Sequence, residues 1–394
     1  MKLSSELISF CRIHEKEDVY ALALQASSYP NIDMDLAIRQ IKGRQIVKTK
    51  LPSWYANERL LYPIHLSLEQ ASSESTALYK QELCSEGEAM MDLTGGLGVD
   101  ISFLSKLFQK AIYVEQQESL SLLAEHNFGE LGLHHIEVVN GEAHHYLEQI
   151  EKVFDLIYID PARRDGHGKK IFFIEDCSPN LLEIQDLLRA KAKTVMIKLS
   201  PMLDISLALS KLKSVSSVHI VGVDNEVKEL LFIIDQNYSG EVEFHCANIR
   251  KARTDKFVYY ASEENNSQMK YASQVKTYLY EPNASILKSG AYKLVAERFN
   301  LEKLHPSSHL YTSDVRVEDF PGRAFRVKTV SSLNKAELKK KLDGIDKINI
   351  TIRNFPMSVD ALRKKLKVAE GGNDYLFATT LSNNQKILVF CEKI

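Results

Sequence analysis

Short apolar runs alternate with amphipathic segments between about residue 86 and residue 235. The runs are four to six residues long and rich in Ile, Val and Leu, which is typical of buried strands; they lie at 111–114, 136–139, 154–159 and 194–199. Apolar residues recur at helical spacing between them, as at 119–131 and 179–190. Strands that alternate with helices predict an α/β fold with a parallel sheet. The runs 218–223 and 230–234 predict a closing antiparallel hairpin, giving seven strands.

The first of these strands leads into a glycine-rich turn, which reads Asp92-Leu93-Thr94-Gly95-Gly96-Leu97-Gly98-Val99-Asp100. A helix with apolar residues at helical spacing is predicted after it, over 101–108. Glycine allows a sharp bend and a close approach of the backbone to a ligand, because no Cβ is in the way. The turn is therefore a candidate ligand-binding segment.

The next three strands each end in polar or glycine residues. Glu115 follows the second strand, Gly141-Glu142-Ala143 lies after the third, and Asp160-Pro161-Ala162-Arg163 follows the fourth. The carboxyl ends of parallel strands line the crevice of an open α/β sheet, and an acid after the second strand is placed to hold ribose hydroxyls. A dinucleotide fingerprint would need a further glycine near Ile101, which this chain lacks.

These motifs resemble those of the class I S-adenosylmethionine-dependent methyltransferases. The resemblance implies a Rossmann-like core, S-adenosylmethionine as cofactor, a glycine turn under the methionine part and an acid on the ribose. It assigns cofactor binding to Asp92, Thr94, Gly95, Gly96, Gly98, Asp100, Glu115, Glu142 and Ala143, with Glu142 beside the adenine. It assigns the acceptor side to Asp160, Pro161 and Arg163.

The acceptor motif departs from the branches of the family that methylate amino groups. Those branches have Asp or Asn, two prolines and then an aromatic that stacks the flipped base, whereas this chain reads Asp-Pro-Ala-Arg. The guanidinium of Arg163 can stack on a base or pair with a phosphate, and Phe172 or Phe173 can replace the missing aromatic. Cys177 does not match the nucleophile patterns of carbon-5 methyltransferases, and Lys198 falls at a fifth strand tip as a possible pocket residue.

The amino-acid sequence of the glycine turn is most similar to that of a bacterial group in which the methyltransferase domain is followed by ferredoxin-like and THUMP-like modules. The resemblance implies an N-terminal helical domain at 1–85, a methyltransferase domain at 86–276, a ferredoxin-like module at 277–321 and a THUMP-like α+β domain at 322–394. THUMP modules of RNA-modifying enzymes hold structured RNA. The resemblance therefore implies RNA as a partner.

The charge distribution points the same way. From Gly322 onward the chain has fifteen Lys and Arg against seven Asp and Glu, a balance of +8 in a protein whose net charge is −2. A compact basic end on an acidic chain indicates a polyanionic partner such as tRNA or rRNA. A merely solvated lysine-rich helix face is the alternative.

Composition bounds the remaining possibilities. The five cysteines are scattered without CxxC spacing, so neither a disulfide framework nor a zinc site is indicated. The pairs His134-His135 and His144-His145 are expected at the surface, without a metal. No run of eighteen apolar residues and no apolar signal core is present, which predicts a cytoplasmic protein without a membrane partner. Trp54 is expected to be a structural plug, with a cover over the cofactor pocket or a stacking contact with a base as the alternatives.

The sequence therefore predicts an S-adenosylmethionine-dependent methyltransferase that acts on an exocyclic or ring nitrogen of a base in tRNA or rRNA. A methyltransferase acting on a small molecule or a protein is one alternative. A non-catalytic RNA-binding protein that retains the cofactor fold is another. Retention of Gly95, Gly96, Gly98, Glu115 and Asp160 in one chain argues against the latter.

Overall fold

The computed structural model describes residues 3–63, 65–163 and 174–394. The chain divides into two compact units, one formed by Met1–Val218 with Glu229–Gly240 and the other by His219–Lys228 with Glu241–Ile394. The base of one β-hairpin belongs to the first unit and its tip to the second, so the chain passes between the units more than once.

The first unit contains most of the segments predicted to form the α/β core. Its helices are α1 (Ser5–Ile13), α2 (Val19–Leu24), α3 (Met34–Lys50), α4 (Pro52–Tyr55), α5 (His65–Gln70), α6 (Glu74–Glu82), α7 (Val99–Leu104), α8 (Glu118–Glu130), α9 (Ala143–Gln149), α10 (Leu181–Lys191) and α11 (Ile205–Leu209). Its strands, including the hairpin shared with the second unit, are β1 (Gly87–Asp92), β2 (Phe108–Glu115), β3 (Ile136–Asn140), β4 (Phe154–Ile159), β5 (Ala162–Arg163), β6 (Cys177–Ser178), β7 (Ala192–Leu199), β8 (Val215–Val223) and β9 (Glu226–Asp235).

The main sheet of the first unit has the strand order β3-β2-β1-β4-β7-β9-β8. The strands from β3 to β7 are parallel, and β9 runs antiparallel to β7. The order reverses at β1, which lies between β2 and β4, and the crevice beyond such a switch point is where open α/β sheets bind ligands. The predicted fold class is confirmed. In the second unit, the outer half of β8 is followed in the order by β10 and β11, so the sheet extends beyond the seven strands predicted.

The N-terminal segment is helical, as predicted. Asp33 caps α3 by accepting a hydrogen bond from the Leu36 N–H at 3.0 Å. The sequence pattern predicts a single helix over 66–83, but the structure has two, because Ser73 caps a new helix, α6, after α5 has ended. Trp54 is only 2% exposed and packs among apolar side chains that include Leu97 and Val99, behind the glycine turn. Its predicted role as a structural plug is confirmed.

The helix after the glycine turn is shorter than expected. It ends at Leu104, a turn of 3-10 helix follows, and Phe108 already begins β2 opposite Gly87. The side chain of Phe108 is buried in the core of the sheet, so the apolar spacing at 101–108 reflects a helix, a 3-10 turn and the start of a strand rather than one helix. The predicted hairpin is confirmed, with Asp224 and Asn225 both at positive φ in its two-residue turn.

The second unit contains the remaining elements. Its helices are α12 (Ala261–Asn266), α13 (Ala284–Ser289), α14 (Tyr292–Arg298), α15 (Lys335–Lys341) and α16 (Val359–Leu366). Its strands are β10 (Glu243–Ile249), β11 (Thr254–Tyr260), β12 (Lys270–Tyr271), β13 (Tyr278–Pro282), β14 (Glu302–Lys303), β15 (Tyr311–Ser313), β16 (Gly322–Ser331), β17 (Asn349–Ile352), β18 (Asp374–Thr380) and β19 (Lys386–Lys393).

One sheet in the second unit has the order β12-β14-β15-β13-β16-β19-β18-β17. Leu338 of α15 and Leu362 of α16 pack on the same apolar cluster as Leu376 and Leu388, so both helices cover one face of this sheet. The segments 277–321 and 322–394, predicted as separate modules, contribute strands to the same sheet. The four-part division of the chain remains a prediction.

The sequence pattern predicts a single helix over 284–299 and a polar turn at 263–267, and both predictions are wrong in detail. The helix expected over 284–299 is divided at Gly290, whose φ of +87° ends α13. The carboxylate of Glu264 then accepts hydrogen bonds from the N–H groups of Lys293 and Leu294 in the first turn of α14. The polar turn expected at 263–267 is largely the helix α12, stabilised at its start by Glu263, which accepts from the Tyr260 N–H at 2.8 Å.

Candidate active site

The three glycines of the turn are required by close packing, by left-handed backbone, or by both. A Cβ on Gly95 would lie 2.1 Å from the Tyr113 ring, and one on Gly98 would lie 2.6 Å from the Phe128 ring. Gly96 adopts a φ of +55°, and the nearest atom to its Cβ position is 3.8 Å away. Gly95 and Gly98 therefore admit aromatic rings from behind, Gly96 and Gly98 adopt left-handed backbone, and Gly96 alone of the three leaves open space at its Cβ position.

Glu115 joins this turn to the end of β2. Its Oε2 accepts a hydrogen bond from the Gly96 N–H at 2.9 Å, and its Oε1 accepts from the Gln117 N–H at 2.8 Å. The side chain is buried, but a carboxylate has about four lone-pair positions, so both oxygens retain acceptor capacity. The acid predicted from the sequence is thus fixed directly beside the open glycine.

Asp92 and Thr94 connect β1 with the tip of β4. Asp92 Oδ1 accepts from the Thr94 N–H at 3.0 Å, and Thr94 Oγ1 accepts from the Asp160 N–H at 2.6 Å. Burial, reinforced by the nearby carboxylates of Asp100, Asp160 and Glu115, raises the pKa of Asp92 well above its ordinary value. The turn and the acceptor motif are therefore held together by the backbone of Asp160.

Asp100 is directed toward the protein interior. Its Oδ2 accepts hydrogen bonds from the hydroxyls of Ser72 and Tyr158, both at 2.8 Å, and its Oδ1 lies 3.0 Å from Lys80 Nζ. All of these partners are buried. The predicted contribution of Asp100 to cofactor binding remains a prediction, while its carboxylate is already bound on both oxygens.

Lys80 is the centre of a buried charge cluster. Its Nζ lies 2.8 and 2.9 Å from the two carboxylate oxygens of Glu229, in addition to its contact with Asp100. Burial opposes ionisation of Asp100, but Lys80 and Lys198 overcome it and lower the pKa of that carboxyl. Burial raises the pKa of Glu229 in spite of the same lysines. Lys80 therefore contacts both buried carboxyl groups directly, and Lys198 acts on the same two groups.

Asp160 and Lys198 form an ion pair at the carboxyl ends of β4 and β7. The Lys198 ammonium donates a hydrogen bond to Asp160 Oδ2. Burial alone would lower the pKa of Lys198, but the carboxylates of Asp160, Glu229 and Asp100 raise it above its ordinary value. Lys198 is therefore a fixed cation at the position where the sequence predicts the acceptor side.

The tip of β3 is bonded to that of β2. Asn140 Nδ2 donates to the Glu115 carbonyl oxygen at 2.9 Å, and the Gly141 N–H donates to the same oxygen at 3.0 Å. Glu142 is exposed and caps α9, where it accepts from the His145 N–H at 2.8 Å, while Ala143 is buried. The placement of Glu142 and Ala143 beside an adenine remains a prediction.

The rest of the acceptor motif is described in part. Pro161 is buried, and Ala162 and Arg163 pair as β5 with Ser178 and Cys177 of β6. The Arg163 side chain lies outside the described residues, as do Phe172 and Phe173, so the alternatives for stacking a base stay predictions. Cys177 is buried.

Sequence reasoning missed Ser72, Lys80, Tyr158 and Glu229, whose side chains hold Asp100 in the interior. One feature of the sequence could have indicated that Lys80 is buried. Lys80 lies three residues after Ala77 and four after Thr76, both buried, so helical spacing placed a lysine on the apolar face of α6. A lysine in that position needs a buried carboxylate partner.

The described parts of the chain contain no group of three or more His, Cys, Asp or Glu side chains arranged to hold a metal ion. Among the helices of those same parts, none has both the length and the apolar character required to cross a membrane. The site is therefore described by its backbone turn, its carboxylates and its two lysines.

Comparison with known proteins gives matches over the whole chain. Residues 278–321 match a ferredoxin-like domain family, and residues 322–393 match a THUMP domain-like family. A protein from Porphyromonas gingivalis W83, provisionally named a methyltransferase, has a crystal structure that aligns over 100% of both chains with a TM-score of 0.89 and 32% sequence identity. Two Mycobacterium tuberculosis proteins named uncharacterized S-adenosylmethionine-dependent methyltransferases are 21% identical over 305 residues, which is 77% of this chain and 80% of theirs.

Proposed function

This chain belongs to the family of S-adenosylmethionine-dependent methyltransferases with C-terminal ferredoxin-like and THUMP-like domains, and we propose that it methylates a nitrogen of a base in structured RNA, either tRNA or rRNA. The observation that carries this proposal is the link between Gly96 and Glu115 at the switch point of the sheet. The two halves of the proposal, the donor and the acceptor, have separate support.

The residues at the switch point fit the methyl donor. The space in front of Gly96 admits a ligand against the backbone, and Glu115 presents carboxylate oxygens at the adjacent strand end. We assign the methionine part to the turn from Asp92 to Gly98 and the ribose hydroxyls to Glu115. When bound, S-adenosylmethionine supplies a methyl group activated by its sulfonium charge.

The chain's own residues then have to position the acceptor and accept one proton. Thr94 fixes the backbone of Asp160 against the glycine turn, and Lys198 fixes its carboxylate. Positioning of this kind can supply a large part of a rate enhancement, because it replaces a bimolecular encounter with a bound geometry. We assign Asp160 as the proton acceptor, with Pro161 and Arg163 on the same side.

The RNA partner is supported by the C-terminal domain. Residues 322–393 match a THUMP domain-like family and carry the excess of positive charge found in the sequence. Exposed lysines lie in and after the helices that cover one face of the sheet, namely Lys339, Lys340, Lys364, Lys365 and Lys367. Lysines that contact phosphates provide affinity that falls with salt. A cytoplasmic location, predicted from the scattered cysteines together with the lack of a long apolar run and of an apolar signal core, is part of the same proposal.

The donor half is tested by calorimetric titration of S-adenosylmethionine and S-adenosylhomocysteine into the wild-type protein and Glu115→Ala. We expect the substitution to weaken binding about 10- to 100-fold, because hydrogen bonds to a charged group contribute about 1.5–3 kcal/mol. Glu118→Ala is the matched control, since Glu118 is an exposed acid three residues further along. Equal affinities in the three proteins would contradict the assignment of Glu115.

The acceptor half is tested by incubating the protein with labelled S-adenosylmethionine and total RNA from cells that lack it. Label in RNA supports the proposal. Label only in protein or small-molecule fractions favours the hypothesis that the enzyme methylates a protein or a small molecule. Donor binding without any methyl transfer to a cellular fraction would favour the hypothesis of a non-catalytic RNA-binding protein.

A further inference from the structure

The ion pair at the acceptor side has hydrogen-bonding groups that the described residues do not use. Asp160 Oδ2 is bound by Lys198, but Asp160 Oδ1 has no hydrogen-bond partner among residues 3–63, 65–163 and 174–394. The Lys198 ammonium has three N–H donors, and within those same ranges its hydrogen bond to Asp160 uses one of them. A hydrogen-bond acceptor and a hydrogen-bond donor therefore stand side by side at the strand ends.

Both groups are accessible enough to meet a ligand. The side chain of Asp160 is 36% exposed and that of Lys198 is 15% exposed. Thr94 ties Asp160 to the glycine turn that we assign to the methyl donor. The pair thus belongs to the face where an acceptor base would be presented to the donor.

We propose, building on the function proposed above, that the methylated atom is a ring nitrogen that bears hydrogen beside a carbonyl group, as in N1 of guanine or N3 of uracil. Asp160 accepts the proton of that nitrogen, and Lys198 donates a hydrogen bond to the neighbouring carbonyl oxygen. The adjacent acceptor and donor of the ion pair match the adjacent donor and acceptor of such a base edge.

The chemistry of this nitrogen requires both groups. Its electron pair is delocalised into the carbonyl, so it becomes a good nucleophile only as its proton leaves to the Asp160 carboxylate. The negative charge that develops is shared with the carbonyl oxygen, where the Lys198 ammonium stabilises it. The nitrogen then bonds to the methyl carbon as the carbon–sulfur bond breaks, and that bond's electron pair remains on sulfur.

An exocyclic amino group is a poorer match for the same pair. The amino nitrogen of adenine or cytosine attacks through its own electron pair and develops positive charge, which a nearby ammonium group disfavours. N1 of adenine carries no proton to remove, so Asp160 would have no role there. The Asp-Pro-Ala-Arg motif also lacks the aromatic of the amino-methylating branches.

The charge of the lysine is secured by its surroundings. The groups that act on Lys198 are the carboxylates of Asp160, Glu229 and Asp100, and together they keep its pKa above the ordinary value despite burial. Lys80 forms ion pairs with the same Glu229 and Asp100 carboxylates. Lys198 is therefore an ammonium group throughout the neutral pH range.

The identity of the methylated nucleoside is the decisive measurement. Total tRNA and rRNA from cells lacking the protein are incubated with trideuteromethyl-labelled S-adenosylmethionine, digested to nucleosides and analysed by mass spectrometry against reference compounds. We expect label in 1-methylguanosine or 3-methyluridine. Label in N6-methyladenosine, N4-methylcytidine, N2-methylguanosine or 1-methyladenosine would overturn this inference and leave RNA methylation standing, whereas no label in any nucleoside would remove the proposed function itself.

Substitution of Lys198 tests its role once the labelled nucleoside is known. Lys198→Met should lower the methylation rate about 10²- to 10³-fold at neutral pH, the effect of removing one donor from a developing oxyanion. The loss should shrink in alkaline solution, where the base nitrogen ionises unaided, and binding of S-adenosylhomocysteine should be unchanged. Lys193→Met is the matched control, because Lys193 pairs with Asp155 between the same two strands at their other ends.

A merely structural role for Lys198 would lower activity by the same factor at every pH and weaken S-adenosylhomocysteine binding as well, and that result would overturn its assigned role. Lys198→Arg retains the charge and should recover part of the rate. If neither variant folds, the nucleoside identified with the wild-type protein still decides the inference.

Discussion

Strands β4 and β7 carry an acid–lysine pair at each end, and the two pairs have different surroundings. Asp155 and Lys193 stand in register at the amino ends, and Asp160 and Lys198 stand in the same register at the carboxyl ends. The Lys193 side chain is 71% exposed, whereas that of Lys198 is 15% exposed. The lysine of the pair therefore meets water at one edge of the sheet and a buried charge cluster at the other.

The carboxylates of Asp155 and Asp160 also differ in how many hydrogen bonds they accept from the described residues. Asp155 Oδ2 accepts from the N–H groups of Glu88 and Ala89, at 2.7 and 3.0 Å, and its Oδ1 accepts from Lys193 at 2.7 Å. Asp160 accepts from Lys198 alone among the described residues. The amino-end pair is thus a completed structural contact with β1, while the carboxyl-end pair has hydrogen-bonding capacity that residues 3–63, 65–163 and 174–394 leave unused. The contrast teaches that unused hydrogen-bonding capacity, rather than residue type, separates a candidate site from a surface ion pair.

The largest loss of stability should come from replacing Lys80, the buried lysine of the charge cluster at the carboxyl edge. Lys80→Met leaves the carboxyl groups of Asp100 and Glu229 without their cation and should lower the free energy of unfolding by about 3–5 kcal/mol. Lys193→Met removes an exposed partner at the amino edge and should cost less than about 1 kcal/mol. Urea unfolding of the two variants beside the wild type measures both values.

Adding Glu229→Gln to Lys80→Met sharpens that result. If the uncompensated charge causes the loss, the double variant should be more stable than Lys80→Met alone. A Lys80→Met variant that unfolds at the same urea concentration as Lys193→Met would show that the two edges do not differ in this way.

A smaller effect should follow from adding a methyl group at the glycines of the two edges. The Cβ of Gly95→Ala would lie 2.1 Å from the Tyr113 ring, which is enclosed in the core, and we expect a loss of about 1–3 kcal/mol in the free energy of unfolding. The Cβ of Gly87→Ala would lie 2.9 Å from Asp155 Oδ2 and from the Phe108 ring, a milder overlap that should cost less. Thermal unfolding of both variants ranks them, and a larger loss for Gly87→Ala would contradict the tighter packing inferred at the carboxyl edge.

Much of the carboxyl edge could be predicted from the sequence, because its signals are local. The hydrophobic periodicity and the polar residues after each apolar run predicted where the strands end. The spacing of the glycines predicted that Gly96 lies in the turn. The link between Gly96 and Glu115 follows from the strand order of an α/β sheet, in which β1 and β2 are neighbours. The assigned roles of these residues in cofactor binding remain predictions.

The buried cluster could not be predicted in the same way. Lys80 and Glu229 are 149 residues apart, and no local pattern indicates that they meet. The breaks in the predicted helices have a different, local cause. Ser73 and Gly290 end or restart helices where a side-chain cap or a left-handed residue competes with apolar periodicity that continues across the break.

The smallest effect concerns the pH dependence of the amino-edge pair. The hydrogen bond from Lys193, with those from the Ala89 and Glu88 N–H groups, lowers the pKa of Asp155. A carboxyl whose folded-state pKa is lowered stabilises the protein above its unfolded-state pKa of about 3.9 and loses that contribution as the pH falls through the lower folded-state value. Asp155→Asn should therefore be less stable than the wild type at pH 7, by under about 1 kcal/mol because the lysine is exposed. Urea unfolding should show this difference narrowing toward pH 3, and a difference that grew on acidification would mean that Asp155 is not held as a carboxylate by its neighbours.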